Sequence, residues 1–430
     1  MIQAREFQMR RRKILSMMAP QSVMILYAGV AKNSSADATH DFEVNRNFHY
    51  LTGLRQEESI LILVKSDGEE KEFLFIHPYD EKKEAWYGKL YTPEEATAIS
   101  GIENVLETGT FAGKLEGILN PSIGMFGQID TVYVDLDLEN KIGERHYTYM
   151  LPAELEGQYP DVTVEDAYPI ITKCRLIKSP REVAELRAAI EITKLGIDQI
   201  WANMAPGVKE YEIRTIFERT VNDHNAYHGL AFPTIVASGI HGTVLHYPDS
   251  QDTLKNGDLL LTDLGARVNY YCADVTRTVP INGRYTPLQR TVYDIVLGAN
   301  KMVASNARPG ITVSELQRMT VDYLAAECLE KGLIEKKEDI INYYFHNVSH
   351  LIGLDTHDPY NRPNTKDYKE IPLEEGMVIS DEPGLYMKDK GIGIRIEDDL
   401  LITKDGCEVL TAGIKKDPDE IEAFLASRRF

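Results

Sequence analysis

The second half of this chain carries the same short pattern twice, in the same order. Pro206-Gly207-Val208 followed by Glu212-Ile213 returns 103 residues later as Pro309-Gly310-Ile311 followed by Glu315-Leu316, and both copies precede amphipathic stretches of helical period. Gly257-Asp258-Leu259-Leu260-Leu261-Thr262-Asp263 returns 119 residues later as Gly376-Met377-Val378-Ile379-Ser380-Asp381-Glu382. Each half thus supplies a helix and then an apolar strand that ends in a carboxylate. Such an echo predicts two halves packed about a pseudo-two-fold axis, with the two carboxylates facing one another across it. Facing acids repel unless something positive lies between them.

Ahead of the echo the texture differs. After a basic first helix, the first 170 residues alternate short strands, at 59–64, 72–77 and 131–134, with helices, one of which opens at Thr92-Pro93-Glu94-Glu95. Beyond residue 171 a strong helix start appears: Ser179 as cap, Pro180 just inside, Glu182 three on, then Val183, Leu186, Ile190 and Ile197 at helical spacing. The expected fold class is α/β (α+β), with an amino-terminal α/β domain over 1–170 and a pseudo-two-fold domain over 171–430. A chain of 430 residues is long enough for both cores.

Composition removes several function classes. With 67 acidic and 47 basic residues the net charge is −20, which opposes a phosphate backbone or an anionic membrane surface, so neither nucleic acid nor membrane is expected as a partner. No segment approaches the roughly 18 to 20 uninterrupted apolar residues of a membrane span. Arg10 to Lys13 before an apolar stretch imitates a secretory leader. Pro20-Gln21-Ser22 interrupts it, and Val23-Met24-Ile25-Leu26-Tyr27 has the composition of a buried strand. Cys174, Cys272, Cys328 and Cys407 are widely separated and form no CxxC pair, which reads as reduced thiols in a cytoplasmic protein.

The chemistry gathers around acids in apolar surroundings. Asp263 closes the run Leu259-Leu260-Leu261-Thr262, and a buried carboxylate costs several kcal/mol unless it is paired, hydrogen-bonded or metal-bound. A turn at Val268-Asn269 would set Asp274 opposite Asp263, with Cβ atoms about 5 Å apart, close enough to share one cation or two. Farther on, Phe345-His346-Asn347-Val348-Ser349-His350-Leu351-Ile352-Gly353 places two histidines four apart, on one face if the segment is helical, and His357-Asp358 follows. Glu382 in Asp-Glu-Pro-Gly and Glu397 in Gly-Ile-Arg-Ile-Glu-Asp each stand at the edge of a strand-like segment. Asp263, Asp274, His350, Glu382 and Glu397 carry four negative charges, which two divalent cations balance. Mostly oxygen donors with one imidazole suit Mn2+, Co2+, Zn2+ or Fe2+.

That ordered set, Asp-x10-Asp, His, Glu-Pro-Gly and Arg-x-Glu, resembles the dinuclear metallopeptidases of the pita-bread fold, which include aminopeptidase P, prolidase and methionine aminopeptidase. The resemblance extends over the whole chain. Asn47-Phe48-His49-Tyr50-Leu51-Thr52-Gly53 is similar to a signature of the amino-terminal domain shared by aminopeptidase P and prolidase, and Trp86-Tyr87-Gly88 resembles a segment more typical of aminopeptidase P.

The resemblance implies a fold, an activity and a set of roles. Asp263, Asp274, His350, Glu382 and Glu397 would hold two divalent ions, Mn2+ being the one expected. Asp274 and Glu397 would be shared between the ions, and Glu382 would also act as general base on a water between them. His246, in Leu245-His246-Tyr247, and His357 match histidines that contact substrate and stabilise the tetrahedral intermediate. His346 and Arg395 match positions that orient the ligands. Asp381 departs from the pattern, an acid where relatives often have a neutral residue, and along a strand it should point away from Glu382. The implied activity is Xaa-Pro aminopeptidase, on peptides with proline second. Prolidase, acting on Xaa-Pro dipeptides, and a non-catalytic binding module on the same fold remain alternatives. A homo-oligomer, dimer or tetramer, is also implied.

Overall fold

The structure is a computed structural model and describes residues 2–66, 68–123, 125–136, 151–225, 229–359 and 366–427. The chain divides between Cys174 and Arg175 into two compact units.

The first unit is built on a six-stranded sheet in the spatial order Val105–Glu107, Glu69–Ile76, Ile60–Ser66, Ser22–Tyr27, Thr131–Val134, Thr163–Asp166. Its central strands are apolar on both faces because both are covered. Val23, Ile25, Ile60, Ile62, Val64, Phe73 and Phe75 point into one core with Leu115, Ile118 and Val132, while the alternate residues Met24, Leu26, Leu61 and Leu63 are buried on the other side. The basic stretch that imitates a leader is part of this unit's first helix, Ala4–Met17. Arg11 is wholly buried and donates to the Leu51 and Ser100 carbonyls at 2.7 and 2.9 Å, satisfying the ends of two short helices. One of them, Arg46–Thr52, ends at Gly53 with φ 74°, and a Cβ there would lie 2.5 Å from the Phe7 ring.

The echo of the second unit is written in its backbone hydrogen bonds. Gly207 N donates to Leu254 O and Leu254 N to Val208 O, both at 2.8 Å. Gly310 N donates to Leu373 O at 2.9 Å and Leu373 N to Ile311 O at 2.7 Å. The helices Glu210–Asn225 and Val313–Glu330 follow the two Pro-Gly turns, and the strands Leu259–Leu264 and Val378–Asp381 follow in turn. Each of those strands pairs antiparallel with a later one, Leu259–Leu264 with Val275–Pro280 and Val378–Asp381 with Asp398–Ile402. The helix predicted at Ser179 runs Pro180–Asn203 behind a full capping box.

Two local expectations are corrected. The hairpin after Asp263 turns at Asn269-Tyr270, both left-handed with φ 49° and 70°, instead of at Val268-Asn269. Asp263 therefore stands opposite Thr276, and Asp274 lies diagonal to it. A slip of two residues keeps every side chain on its face, so both acids still look the same way. The segment from Phe345 to Gly353 is not helical. It runs as irregular, extended chain that touches the strand Val378–Asp381 through a bridge between Leu351 and Ile379, and in extended chain a spacing of four again leaves His346 and His350 on one side. Among the described residues no helix is long and apolar enough to cross a membrane.

Candidate metal centre and active site

The two carboxylates predicted by the echo end their strands at the wall of one cavity of about 850 Å³ in the second unit. All nine residues singled out from the sequence line it: His246, Asp263, Asp274, His346, His350, His357, Glu382, Arg395 and Glu397. Asp274, His350 and Glu397 offer ligand atoms that lie within 4.8 Å of one another. His350 Nε2 is 3.4 Å from Asp274 Oδ2, 3.6 Å from Glu382 Oε1 and 3.8 Å from Glu397 Oε1.

These donors fit a cation. His350 Nδ1 faces the Leu351 carbonyl at 3.1 Å, which can only accept, so Nδ1 carries a hydrogen and Nε2 is the ring atom turned toward three carboxylates, placed to ligate a cation held among them. Asp263 Oδ1 is buried and has no hydrogen-bond partner among the described residues. Burial first, then the neighbouring acids, pushes the Asp274 and Glu397 carboxyls well above their usual range. Glu382 is raised by burial as well, against the pull of His350 and Arg395. Burial and mutual repulsion thus favour the protonated acids, so a cation binding among them competes with protons.

Arg395 organises the set. Its Nη2 donates to Asp263 Oδ2 at 2.7 Å, its Nη1 to the Tyr386 hydroxyl at 3.1 Å and its Nε to Thr276 Oγ1 at 3.0 Å. Thr276 passes the contact on, donating to Glu397 Oε2 at 2.6 Å. The Tyr386 hydroxyl in turn lies 2.9 Å from His346 Nε2, while His346 Nδ1 faces the Asn347 carbonyl at 2.8 Å. Burial pushes His346 down to about 4, so its ring is neutral near pH 7. Ser380 Oγ accepts from His350 N at 2.9 Å and donates to Glu382 Oε1 at 3.3 Å. Asp381 points away from the cavity, as expected, and takes a hydrogen bond from Asn300 Nδ2 at 3.1 Å.

Sequence reasoning missed Thr276, Ser380 and Tyr386. Each was accessible through strand periodicity: Thr276 and Ser380 stand two residues from Asp274 and Glu382, and Tyr386 four from Glu382.

Comparison with known proteins agrees with this geometry. Residues 184–404 match the model of metallopeptidase family M24, and residues 7–124 match that of the aminopeptidase P N-terminal domain. The chain belongs to the M24 metallopeptidases. Within the family it is 32% identical to the Xaa-Pro aminopeptidase of Escherichia coli, over 100% of this chain and 99% of that protein. Among solved structures it resembles E. coli aminopeptidase P bound to the inhibitor Pro-Leu, with a TM-score of 0.89 and 31% identity over 99% of both chains. A Yersinia pestis proline aminopeptidase P II gives a TM-score of 0.88 and 33% identity, over 99% of this chain and 100% of that one. M24 membership makes the chain a peptide-bond hydrolase whose pita-bread unit carries the cavity described above.

Proposed function

We propose that the chain is an Xaa-Pro aminopeptidase that binds two divalent cations through Asp263, Asp274, His350, Glu382 and Glu397. The observation that carries the reading is the convergence of four carboxylates and one imidazole nitrogen in a single cavity whose walls present three further histidines.

The substrate bond explains the need for a specialist. A residue before proline is joined by a tertiary amide with no N–H and a fixed φ, which peptidases that grip that N–H handle badly. Bound metals acidify water and polarise the scissile carbonyl. Glu382 takes the proton that the attacking water gives up and carries it toward the leaving proline nitrogen. His246 and His357 donate N–H groups to the oxygen on which negative charge develops. Arg395 holds Asp263 directly and Glu397 through Thr276, so the ligand oxygens do not reorganise during turnover. His346, fixed between Tyr386 and Asn347, lines the cavity beside Glu382, its Nδ1 3.7 Å from Oε2, and helps to orient that carboxylate.

Mn2+ suits the oxygen-rich donors, and the E. coli relative has also been solved in a zinc-substituted form with product, which supports a site tolerant of either ion. That relative binds Pro-Leu as an inhibitor, consistent with a subsite here for proline at the start of the leaving product. The four cysteines form no disulfide, in keeping with a cytoplasmic setting, and a homodimer or tetramer is the assembly proposed.

The test compares an Xaa-Pro dipeptide with an Xaa-Pro-Xaa tripeptide on purified, Mn2+-reconstituted protein, beside a chelated control. Free first residue from the tripeptide, abolished by chelator, establishes the proposal. Cleavage of the dipeptide alone makes the enzyme a prolidase, and silence on both restores the binding-module reading.

A further inference from the structure

We infer that Glu210 is a positioning residue that holds His246 in the cavity wall. This rests on the aminopeptidase reading and on the role it gives His246. Glu210 opens the helix Glu210–Asn225 and is wholly buried. No lysine or arginine is paired with its carboxylate among the described contacts, and backbone and side-chain donors satisfy it instead. Oε1 accepts from Ser238 N and from Ser238 Oγ, both at 2.7 Å, and Oε2 accepts from Asp252 N at 3.0 Å. The Glu210 N–H returns a bond to Asp252 O at 2.9 Å.

Those contacts tie down both ends of one excursion of the chain. Ser238 is the last residue of the strand Ile235–Ser238, and residues 239–251 leave the sheet, pass the cavity and come back to Asp252. His246 sits near the middle of that excursion, exposed to the cavity. Gly239 at φ 54° starts it, and Ser250 at φ 50°, a conformation that side chains of L-residues rarely adopt, ends it. Its path is thus set by the anchors more than by local preference.

The same carboxylate reaches the inside of the loop. His241 Nδ1 lies 3.3 Å from Glu210 Oε1, and the His241 ring stacks on Tyr247, with centroids 4.3 Å apart and planes at 19°. Tyr247 packs on Ile235 and Ala237 of the strand. Its phenol is pushed up to about 12, by burial first and by Glu210 next. His246 is the neighbour of this clamped tyrosine, so its backbone has little freedom once Glu210 is in place. A misplacement of about 1 Å in a catalytic group costs on the order of 10²-fold in rate.

A double-mutant cycle tests the assignment, with kcat and KM measured on an Xaa-Pro-Xaa tripeptide in the Mn2+-loaded enzyme. Glu210→Gln keeps the shape but turns an N–H2 toward a loop donor. It is expected to lower kcat by about 10²-fold with a smaller change in KM. In the His246→Ala background the same change is expected to cost less than about threefold, because the residue it positions is gone. If Glu210→Gln lowers the melting temperature too far for kinetics, Ser238→Ala removes one donor to Oε1 and leaves no unpaired charge. It should show a weaker loss with the same dependence on His246. A Glu210→Gln loss that is undiminished in the His246→Ala background, or a Glu210→Gln enzyme with wild-type kcat, overturns the inference. A wild-type protein silent on the tripeptide would instead overturn the activity on which it rests.

Discussion

Thr276 donates to Glu397 at 2.6 Å while accepting from Arg395 at 3.0 Å, so one hydroxyl couples a buried guanidinium to a buried carboxylate proposed to hold metal. Thr276→Val keeps the shape and deletes that relay, leaving Glu397 without its donor and Arg395 Nε without its acceptor. Loss of a partner behind a metal ligand typically weakens binding about 10- to 100-fold. Titration calorimetry with Mn2+ should show a loss in that range, and unchanged affinity would remove Thr276 from the site.

Glu382 and His350 are expected to fail differently. His350→Ala removes the one imidazole donor and should lower the metal content measured on the purified protein. Glu382→Gln keeps a ligand oxygen but cannot move protons, so it should retain metal better and still lose about 10²- to 10⁴-fold in kcat. A loss below about tenfold would contradict the role of base. His357→Ala should likewise slow turnover with metal content unchanged, and near-full activity would exclude it from oxyanion stabilisation.

Metal uptake should depend on pH with a definite sign. Burial, reinforced by neighbouring acids, holds the Asp274 and Glu397 carboxyls above their usual range, so the metal-free fold binds protons there that the unfolded chain has already released. Their contribution to stability is present at acid pH and is lost as pH rises through the raised values. Cations displace those protons, so the rise in melting temperature produced by Mn2+ should be larger at pH 7.5 than at pH 5.5. Calorimetry in two buffers of different ionisation heat should detect protons released on binding. No release, or a shift that shrinks with pH, would contradict the ligand assignment.

Beside His357, Asp358 is expected to contribute to stability rather than to chemistry. Its carboxylate pairs with Arg175 and lies 3.6 Å from Lys178 Nζ, all three side chains being nearly inaccessible. Asp358→Ala leaves the buried Arg175 with only the half-exposed Asp355, at 2.9 Å, and removes the carboxylate nearest Lys178, and should cost about 3 kcal/mol in urea unfolding. Lys178, already lowered to about 7 chiefly by burial, should then lose its proton more readily still. A cost below about 1 kcal/mol would show that the cations find other partners.

Some of the fold and of the site was legible because it is local. The capping boxes at Thr92 and Ser179 are satisfied within four residues, and both helices start where the residues say they should. Asp263 and Glu382 were marked by apolar runs that a strand buries whatever lies next to it. The exact partner across the hairpin was not legible, because Asn269 and Tyr270 both adopt left-handed backbone at the turn. Nothing about Tyr270 advertises that conformation, and it moved the register by two residues.

The sequence by itself determined which acids and histidines are available, that the catalytic half is built twice, and that Asp381 and Glu382 face opposite ways. Period, capping and burial are near-neighbour properties. Only the tertiary structure decided that Arg395 serves Asp263 and, through Thr276, Glu397, and that Glu210 closes the loop carrying His246. Those contacts join residues far apart in the chain: the Arg395 set exists only once the two halves have packed and excluded water, and the Glu210 set only once helix, strand and loop of the first half have closed on one another.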